Sequence, residues 1–410
     1  MSGFRVLEAR DPAQRAAWVH LWEDSPMRLP HAHPALTEPQ LDPGDRLVAA
    51  VLDGSEPGGT VLHVLIVRPV PGAAESADRH VDLVSPHGYA GPLVWGASDV
   101  PALARLFWQA FDAWARAARA VTEFVRLSLD DDVLPSPGSV TPRLINYIAQ
   151  LPATAQELWD SYAPKVRQNA RHAQRAGVTI EIDTTGDRLA EFLAIHELTM
   201  ERRGSEDRYR VCAETLTGLH EEMSGSFAYV YAMSAGRAVS VDLVLLGART
   251  AYYHLGGTSA DAFGLRPNDL VKTAAMEYAR SAGRTRFVLG GGLHDGDGLE
   301  RYKRGFAPRG AQDFCTTERI LDPVVHGSLV RDLESRVRAE RAAGGFPDWV
   351  DGPDFFPAYR RRFTVPAPVA PAGATHEPAS ADAAAHEHAQ AHDRVPSYEH
   401  AQDLEKETVR

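Results

Sequence analysis

The sequence predicts an α/β (α+β) protein of two tandem units, each with a mixed, mainly antiparallel sheet, followed by a tail. Three observations carry that expectation. Residues 227–233, 238–246 and 250–256 are apolar runs joined by the turns Ser-Ala-Gly and Gly-Ala-Arg, which reads as a three-strand antiparallel meander. Gly264-Leu265-Arg266-Pro267-Asn268-Asp269-Leu270 then opens a helix, and Arg286-Phe287-Val288-Leu289-Gly290-Gly291-Gly292 closes as another strand. Strands, a helix and a strand also recur in that order before residue 130, without residue-level identity between the halves.

A chain of 410 residues has room for two ordinary domains and a tail. No apolar run of the length that spans a bilayer occurs, and Met1-Ser2-Gly3-Phe4-Arg5 lacks the apolar core of a signal peptide, so a cytoplasmic protein without membrane insertion is expected. Cys212 and Cys315 are too few for a disulfide framework or a metal cage. The net charge of −12 includes −5 from residue 364 onward, eight acidic against three basic side chains, leaving −7 for the body. A mildly acidic body excludes broad nucleic-acid binding but leaves room for a local basic patch. Lysine is scarce: Lys165, Lys272, Lys303 and Lys406 stand against 39 arginines.

The first unit, 1–151, is read as a helix at 14–23, strands at 46–53 and 60–70, a helix at 100–120 and a strand at 124–129. Phe107, Trp108, Phe111 and Trp114 lie on the apolar side of the long helix. Ahead of it runs Ser85-Pro86-His87-Gly88-Tyr89-Ala90-Gly91-Pro92-Leu93, too rich in glycine and proline for regular structure and typical of loops that line sites. The second unit, 152–322, begins with one helix at 154–176, continues with helices at 188–203 and 213–223, and then the meander. Asn268 is placed as the N-cap of a helix at 269–282, before strands at 285–289 and 313–318. This α-α-β-β-β-α-β order is that of an N-acetyltransferase-like (GNAT) fold. A C-terminal helix and aromatic clasp are expected over 323–363, and an Ala-, Pro- and His-rich disordered tail over 364–410.

Lys303 is the sharpest candidate for chemistry. A cation in a loop after a glycine-rich strand end can stabilise an oxyanion, although a surface lysine has the same local sequence. Arg301 and Arg304 beside it suit phosphate or carboxylate. Lys165, Arg167 and Arg171, with Asn169 and Arg175, place a basic stripe on one helix face, which fits an RNA end or simply a solvated surface. His254, between Tyr253 and Leu255, reads as a buried, hydrogen-bonded histidine more readily than as a base. Pro267 removes one N–H from a helix start that would otherwise cradle phosphate. No Walker loop, zincin motif, serine-hydrolase elbow or Cys/His pair occurs.

Several of these stretches resemble the Fem family of aminoacyl-tRNA-dependent peptidyltransferases, which build peptidoglycan cross-bridges. Tyr162-Ala163-Pro164-Lys165-Val166-Arg167-Gln168-Asn169-Ala170-Arg171 is close to the family's K-x-R-x-N-x-R helix. Ser85–Leu93 is similar to its S-P-Y-G-Y-G-G-P loop, with His87 and Ala90 departing from the usual Tyr and Gly. Phe287–Gly292, Arg301-Tyr302-Lys303-Arg304-Gly305-Phe306 and the clasp Phe355-Phe356-Pro357-Ala358-Tyr359-Arg360 follow in family order, so the likeness covers about 30–363.

The resemblance implies two GNAT-like domains with the acceptor between them, an aminoacyl-tRNA donor and an amine acceptor. The acceptor would be a peptidoglycan precursor side chain or a small natural-product amine. Lys303 would be the catalytic cation, Lys165, Arg167, Asn169 and Arg171 would touch tRNA, and Tyr89, Arg203, Tyr253, His254, Asn268 and Arg304 would line the substrate site. No cofactor, no metal and a monomer are expected. An acyl-CoA-dependent N-acyltransferase and a binding module with a vestigial site are the competing readings. Detectable CoA binding would favour the former, and a solvent-facing Lys303 the latter.

Overall fold

The structure, a computed structural model, describes residues 3–54, 58–70, 79–202, 211–292, 296–342 and 355–361. Arg203, residues 343–354 and 362–363 of the expected C-terminal helix and clasp, and the expected disordered tail lie outside the described residues.

The first half contains strands β1 (Gly3–Glu8), β2 (Arg46–Asp53), β3 (Thr60–Pro69), β4 (Val81–Val84), β5 (Pro92–Trp95), β6 (Ala120–Arg126) and β7 (Ser139–Gln150). Helices α1 (Pro12–Asp24), α2 (Pro34–Thr37) and α3 (Val100–Ala117) interrupt them. The second half follows with α4 (Ala155–Ser161), α5 (Pro164–Arg175), β8 (Thr179–Asp183), α6 (Leu189–Arg202), α7 (Ala213–Glu222), β9 (Phe227–Ser234), β10 (Arg237–Leu246) and β11 (Thr250–Thr258). It ends with α8 (Pro267–Ser281), β12 (Arg286–Gly291), α9 (Gly298–Phe306), β13 (Ala311–Ile320) and α10 (Pro323–Ala342).

The strands join into one sheet in the order β1-β2-β3-β4-β6-β13-β7-β12-β11-β10-β9-β8, with β5 against β3. Each half repeats one course: an antiparallel run, a crossover helix, and a strand parallel to one that precedes the helix. The parallel pairs are β4 with β6 across α3, and β11 with β12 across α8. Parallel neighbours need such a crossover, which is why the two long helices fall where they do. The halves then exchange their last strands. β13 pairs with β6 and β7, and β7 pairs with β12, so the seam is continuous hydrogen-bonded sheet.

Alternation along the strands sorts the core. One face carries a cluster shared by both halves, including Trp18, Trp22, Phe192, Leu219, Tyr229 and Tyr252. On the opposite face α3 covers the first half with Leu103, Phe107, Trp108 and Phe111, while α5, α8 and α9 cover the second. The aromatic side of α3 read from the sequence is therefore core.

Four local expectations are corrected. The single helix at 154–176 is two, because Pro164 cannot donate to a preceding turn and instead starts α5 at its first position. Asn268 is not an N-cap: Arg266 caps α8 in the left-handed region at φ 57, and Asn268 lies inside the first turn. The basic segment carrying Lys303 is helix α9, not a loop, capped by Asp297, whose carboxylate accepts from Glu300 N at 2.6 Å. The strand placed at 124–129 is β6, over 120–126.

Candidate active site

Beyond Tyr252 and Val288 the parallel pairing of β11 and β12 stops, although both strands continue. β11 stays with β10 and β12 stays with β7, so the sheet opens between them. A group entering this opening meets side chains from both faces.

On the α8 face lies a buried charged cluster. Lys303 is 1% exposed and Lys272 2%. Lys272 Nζ is 2.7 Å from Asp242 Oδ2 and 3.2 Å from the centre of the Tyr253 ring. Lys303 Nζ lies 5.7 Å from the same ring centre. Asp269, Tyr302 and Asn268 are buried with them. Burial pushes the Asp242 carboxyl up, against the pull of Lys272 and then Lys303. Burial also raises the Tyr302 phenol, reinforced by Asp269, Asp242 and Tyr253, so it stays a neutral donor. The Asn268 amide nitrogen is shut off from solvent and has no hydrogen-bond partner among the described residues. Gly256 is required here: a Cβ on it would sit 2.7 Å from Asp242 Oδ1 and 3.0 Å from Tyr253 Oη.

α9 presents this chemistry because its spacing puts Leu299, Tyr302, Lys303 and Phe306 on the buried side. Arg301 and Arg304 project outward, and Arg304 approaches the Tyr147 phenol. Tyr147 donates to Glu300 at 2.8 Å, which ties α9 to β7 across the seam.

On the other face sits an aromatic and histidine cluster. The His31 ring is 5.4 Å from Tyr89, 5.2 Å from Tyr252 and 6.3 Å from His254. Asn146 donates to Tyr89 Oη at 3.3 Å, and Tyr252 Oη donates to Asp130 at 3.1 Å. Gly88 packs so closely on the His31 ring that a Cβ there would come within 2.3 Å. His31 is buried, and burial followed by the neighbouring His254 lowers it to about 3, so it is neutral at physiological pH.

The substrate residues expected from sequence thus divide. Lys303, Tyr253 and Asn268 share the α8 face, while Tyr89 and His254 lie on the opposite face. Arg304 sits at the rim, and Arg203 lies outside the described residues. Of the stripe on α5, Lys165 and Arg171 are exposed, but Asn169 is buried against the helix's inner side. Arg167 donates back to Asp160 O at 2.9 Å and Tyr162 O at 3.0 Å, and Arg171 stacks over Trp159 at 5.2 Å. A surface groove of about 350 Å³ runs along Pro164, Arg167, Gln168, Arg171 and Arg175.

Sequence reasoning missed Asp242, Lys272 and His31. Two signals pointed to the first two. Asp242 interrupts the apolar run Val239-Ser240-Val241-Asp242-Leu243-Val244, and Lys272 is one of only four lysines.

Residues 161–304 match the family model of the acetyltransferase (GNAT) domain. Solved structures similar to the chain include FemX, at 16% identity over 67% of this chain and 87% of that one, with a TM-score of 0.49. Another is the C-terminal DUF2156 domain of a putative lysylphosphatidylglycerol synthetase from Agrobacterium fabrum, at 17% identity over 74% and 90%, TM-score 0.49. A third is a tandem GNAT protein from the clavulanic acid biosynthesis pathway, at 14% identity over 78% and 99%, TM-score 0.40. No curated protein matches the chain. The fold is that of GNAT acyltransferases, and the site belongs to the half that the family model matches. Among the described residues no helix is long and apolar enough to cross a membrane, and no group of three metal-ligating side chains occurs.

Proposed function

We propose that the protein forms an amide by moving an aminoacyl group from aminoacyl-tRNA to an amine, with a peptidoglycan precursor side chain as acceptor, in the cytoplasm. The observation that carries this reading is the pair of buried lysines around Tyr253 at the opening between β11 and β12. Charged groups are rarely held in a core unless paired or used, and here two cations and two carboxylates converge beside a gap in the sheet. The motifs that resemble the Fem family also single out Lys303, which supports this reading.

In this reading the acceptor amine attacks the ester carbonyl carbon directly. The carbonyl oxygen becomes an oxyanion, which the Lys303 ammonium stabilises in a site screened from water. On collapse the C–N bond is kept and the ester C–O bond breaks. The tRNA 3′-terminal ribose hydroxyl leaves with one proton, and the amine gives up one. Lys272 stays committed to Asp242 and holds the Tyr253 ring in place. Asn268 offers its unused N–H to the acyl group. The exposed Lys165 and Arg171 on α5 meet tRNA phosphates.

A second reading, transfer from acyl-CoA, is favoured by the acetyltransferase description of the matched family. Against it stands the start of α8, where Pro267 removes a phosphate-facing N–H. The deciding experiment gives purified protein a pool of labelled aminoacyl-tRNAs and a peptidoglycan precursor, with RNase-treated and acyl-CoA arms. RNase-sensitive product is expected. Product formed only from acyl-CoA overturns the donor assignment.

A further inference from the structure

In the first half, the parallel pair β4 and β6 also ends early. β4 stops at Val84, and the chain leaves through Ser85 while β6 runs on to Arg126. Strand alternation turns Arg68, Asp82, Phe124 and Arg126 to the face opposite α3, the same face as Ile66 and Val84. This ground is clasped by the C-terminal segment. Tyr359 and Arg360 both bind the Asp82 carboxylate, Thr122 donates to it at 2.7 Å, and Arg360 Nη2 donates to Pro69 O at 2.6 Å.

Asp82 is therefore engaged by three other donors, and Arg68 and Arg126 are left without a carboxylate at ion-pair distance among the described residues. The Arg126 side chain donates to Ser85 O at 3.2 Å, and its guanidinium lies 5.1 Å from the centre of the Phe124 ring. The Arg68 side chain makes no hydrogen bond among the described residues. The Nε of each is closed to solvent and unpartnered. Burial lowers both to about 10; Arg360 adds to this at Arg68 while Asp82 and Asp45 oppose it, and Arg68 adds to it at Arg126. Both side chains are half-buried, and like charges held together where water reaches them poorly are unfavourable unless something compensates.

We propose that Arg68 and Arg126 form a second ligand site, which takes a phosphate-class anion such as phosphate or pyrophosphate. Two guanidinium forks present more donors than one carboxylate can accept, whereas the oxygens of a phosphate or pyrophosphate can meet both. Ser85 holds Arg126 at two points: its backbone O accepts from Nη1 of the fork, and its Oγ accepts from the Arg126 backbone N at 2.9 Å. The site stands apart from Lys303 and does not depend on which acyl donor the enzyme uses.

Calorimetry of the full chain at low salt, with inorganic pyrophosphate as the probe, tests it. Wild type is expected to bind, Arg68→Gln and Arg126→Gln each to weaken binding at least tenfold, and exposed Arg105→Gln to leave it unchanged. Arg126→Lys keeps the charge but loses the fork, and is expected to fall between wild type and Arg126→Gln. Unfolding curves on each variant confirm that loss of binding is not loss of fold. A nucleoside diphosphate arm separates the two sources of the anion. Tighter binding than pyrophosphate marks a substrate's phosphate, and equal binding marks a free one. Acetate binding as tightly as pyrophosphate, or unchanged pyrophosphate binding in both glutamine variants, would overturn the proposal.

Discussion

The two halves of this molecule follow the same course, yet only one of their crossover helices adds charged side chains of its own to the apolar packing beneath it. Beneath α3 lie Leu103, Phe107, Trp108 and Phe111, with ring pairs such as Phe107 and Phe111 stacked at 5.7 Å. Beneath α8, Asn268, Asp269, Lys272 and Thr273 are buried beside Leu270, Val271 and Met276. The third strand of each half carries a buried titratable group, but their surroundings differ. His63 on β3 meets Glu123 at 3.0 Å inside an aromatic cage, and Arg319 closes the other side of Glu123 at 3.0 Å. Asp242 on β10 meets Lys272 beside an opening in the sheet. The same scaffold thus holds a packed aromatic core in one half and a buried charged cluster in the other.

That contrast is testable from its largest expected effect downward. Phe107→Ala removes a fully buried ring and is expected to lower stability by about 3–5 kcal/mol, with the rate per folded molecule unchanged. Lys272→Met leaves Asp242 buried without its partner and is expected to lose a comparable ~3–5 kcal/mol. Here the halves part company. The double variant Lys272→Met with Asp242→Leu is expected to recover most of the stability in chemical denaturation but little of the transfer rate. Full recovery of activity would make the charged pair a packing device, like the aromatics under α3.

A smaller effect concerns the cluster between the halves. His31 and His33 have folded values lowered to about 3 and about 4, chiefly by burial, against 6.5 in the unfolded chain. Between those limits the unfolded state holds more protons, so the stability they contribute is present above pH 6.5. It is lost as pH falls, by about 1.4 kcal/mol per unit for each histidine. Denaturation midpoints at pH 7 and 5.5 check this, and His31→Leu is expected to flatten the slope. The smallest effect lies on α5. Lys165→Gln and Arg171→Gln are each expected to weaken tRNA binding by about 1 kcal/mol and reduce its salt slope by roughly one, while buried Asn169→Ala acts on stability instead.

Much of the fold was legible because local patterns agreed with the tertiary structure. The strand read at 46–53 is β2, and the meander and the helix behind it fall within one or two residues. The exchange of β7 and β13 was not legible, since long-range pairing leaves no local periodicity, and β7 itself was missed. Lys303 was singled out through its motif and is buried, but its place on a helix was not read, because Gly298 and Gly305 at the two ends of α9 read as loop. Tyr253 and His254 were read as near neighbours in one site. Alternation along β11 sends them to opposite faces, beside the opening between β11 and β12. Asp242 and Lys272 escaped because each looked like a single exception in an ordinary element.

The most direct test of the central claim is single-turnover transfer from aminoacyl-tRNA by wild type, Lys303→Ala and Phe107→Ala, with acceptor binding measured in parallel. The account predicts that Lys303→Ala slows the chemical step by about 10²–10³-fold while acceptor affinity stays near wild type, and that Phe107→Ala does neither. A Lys303→Ala enzyme that loses affinity and rate equally, or that transfers at the wild-type rate, would contradict it.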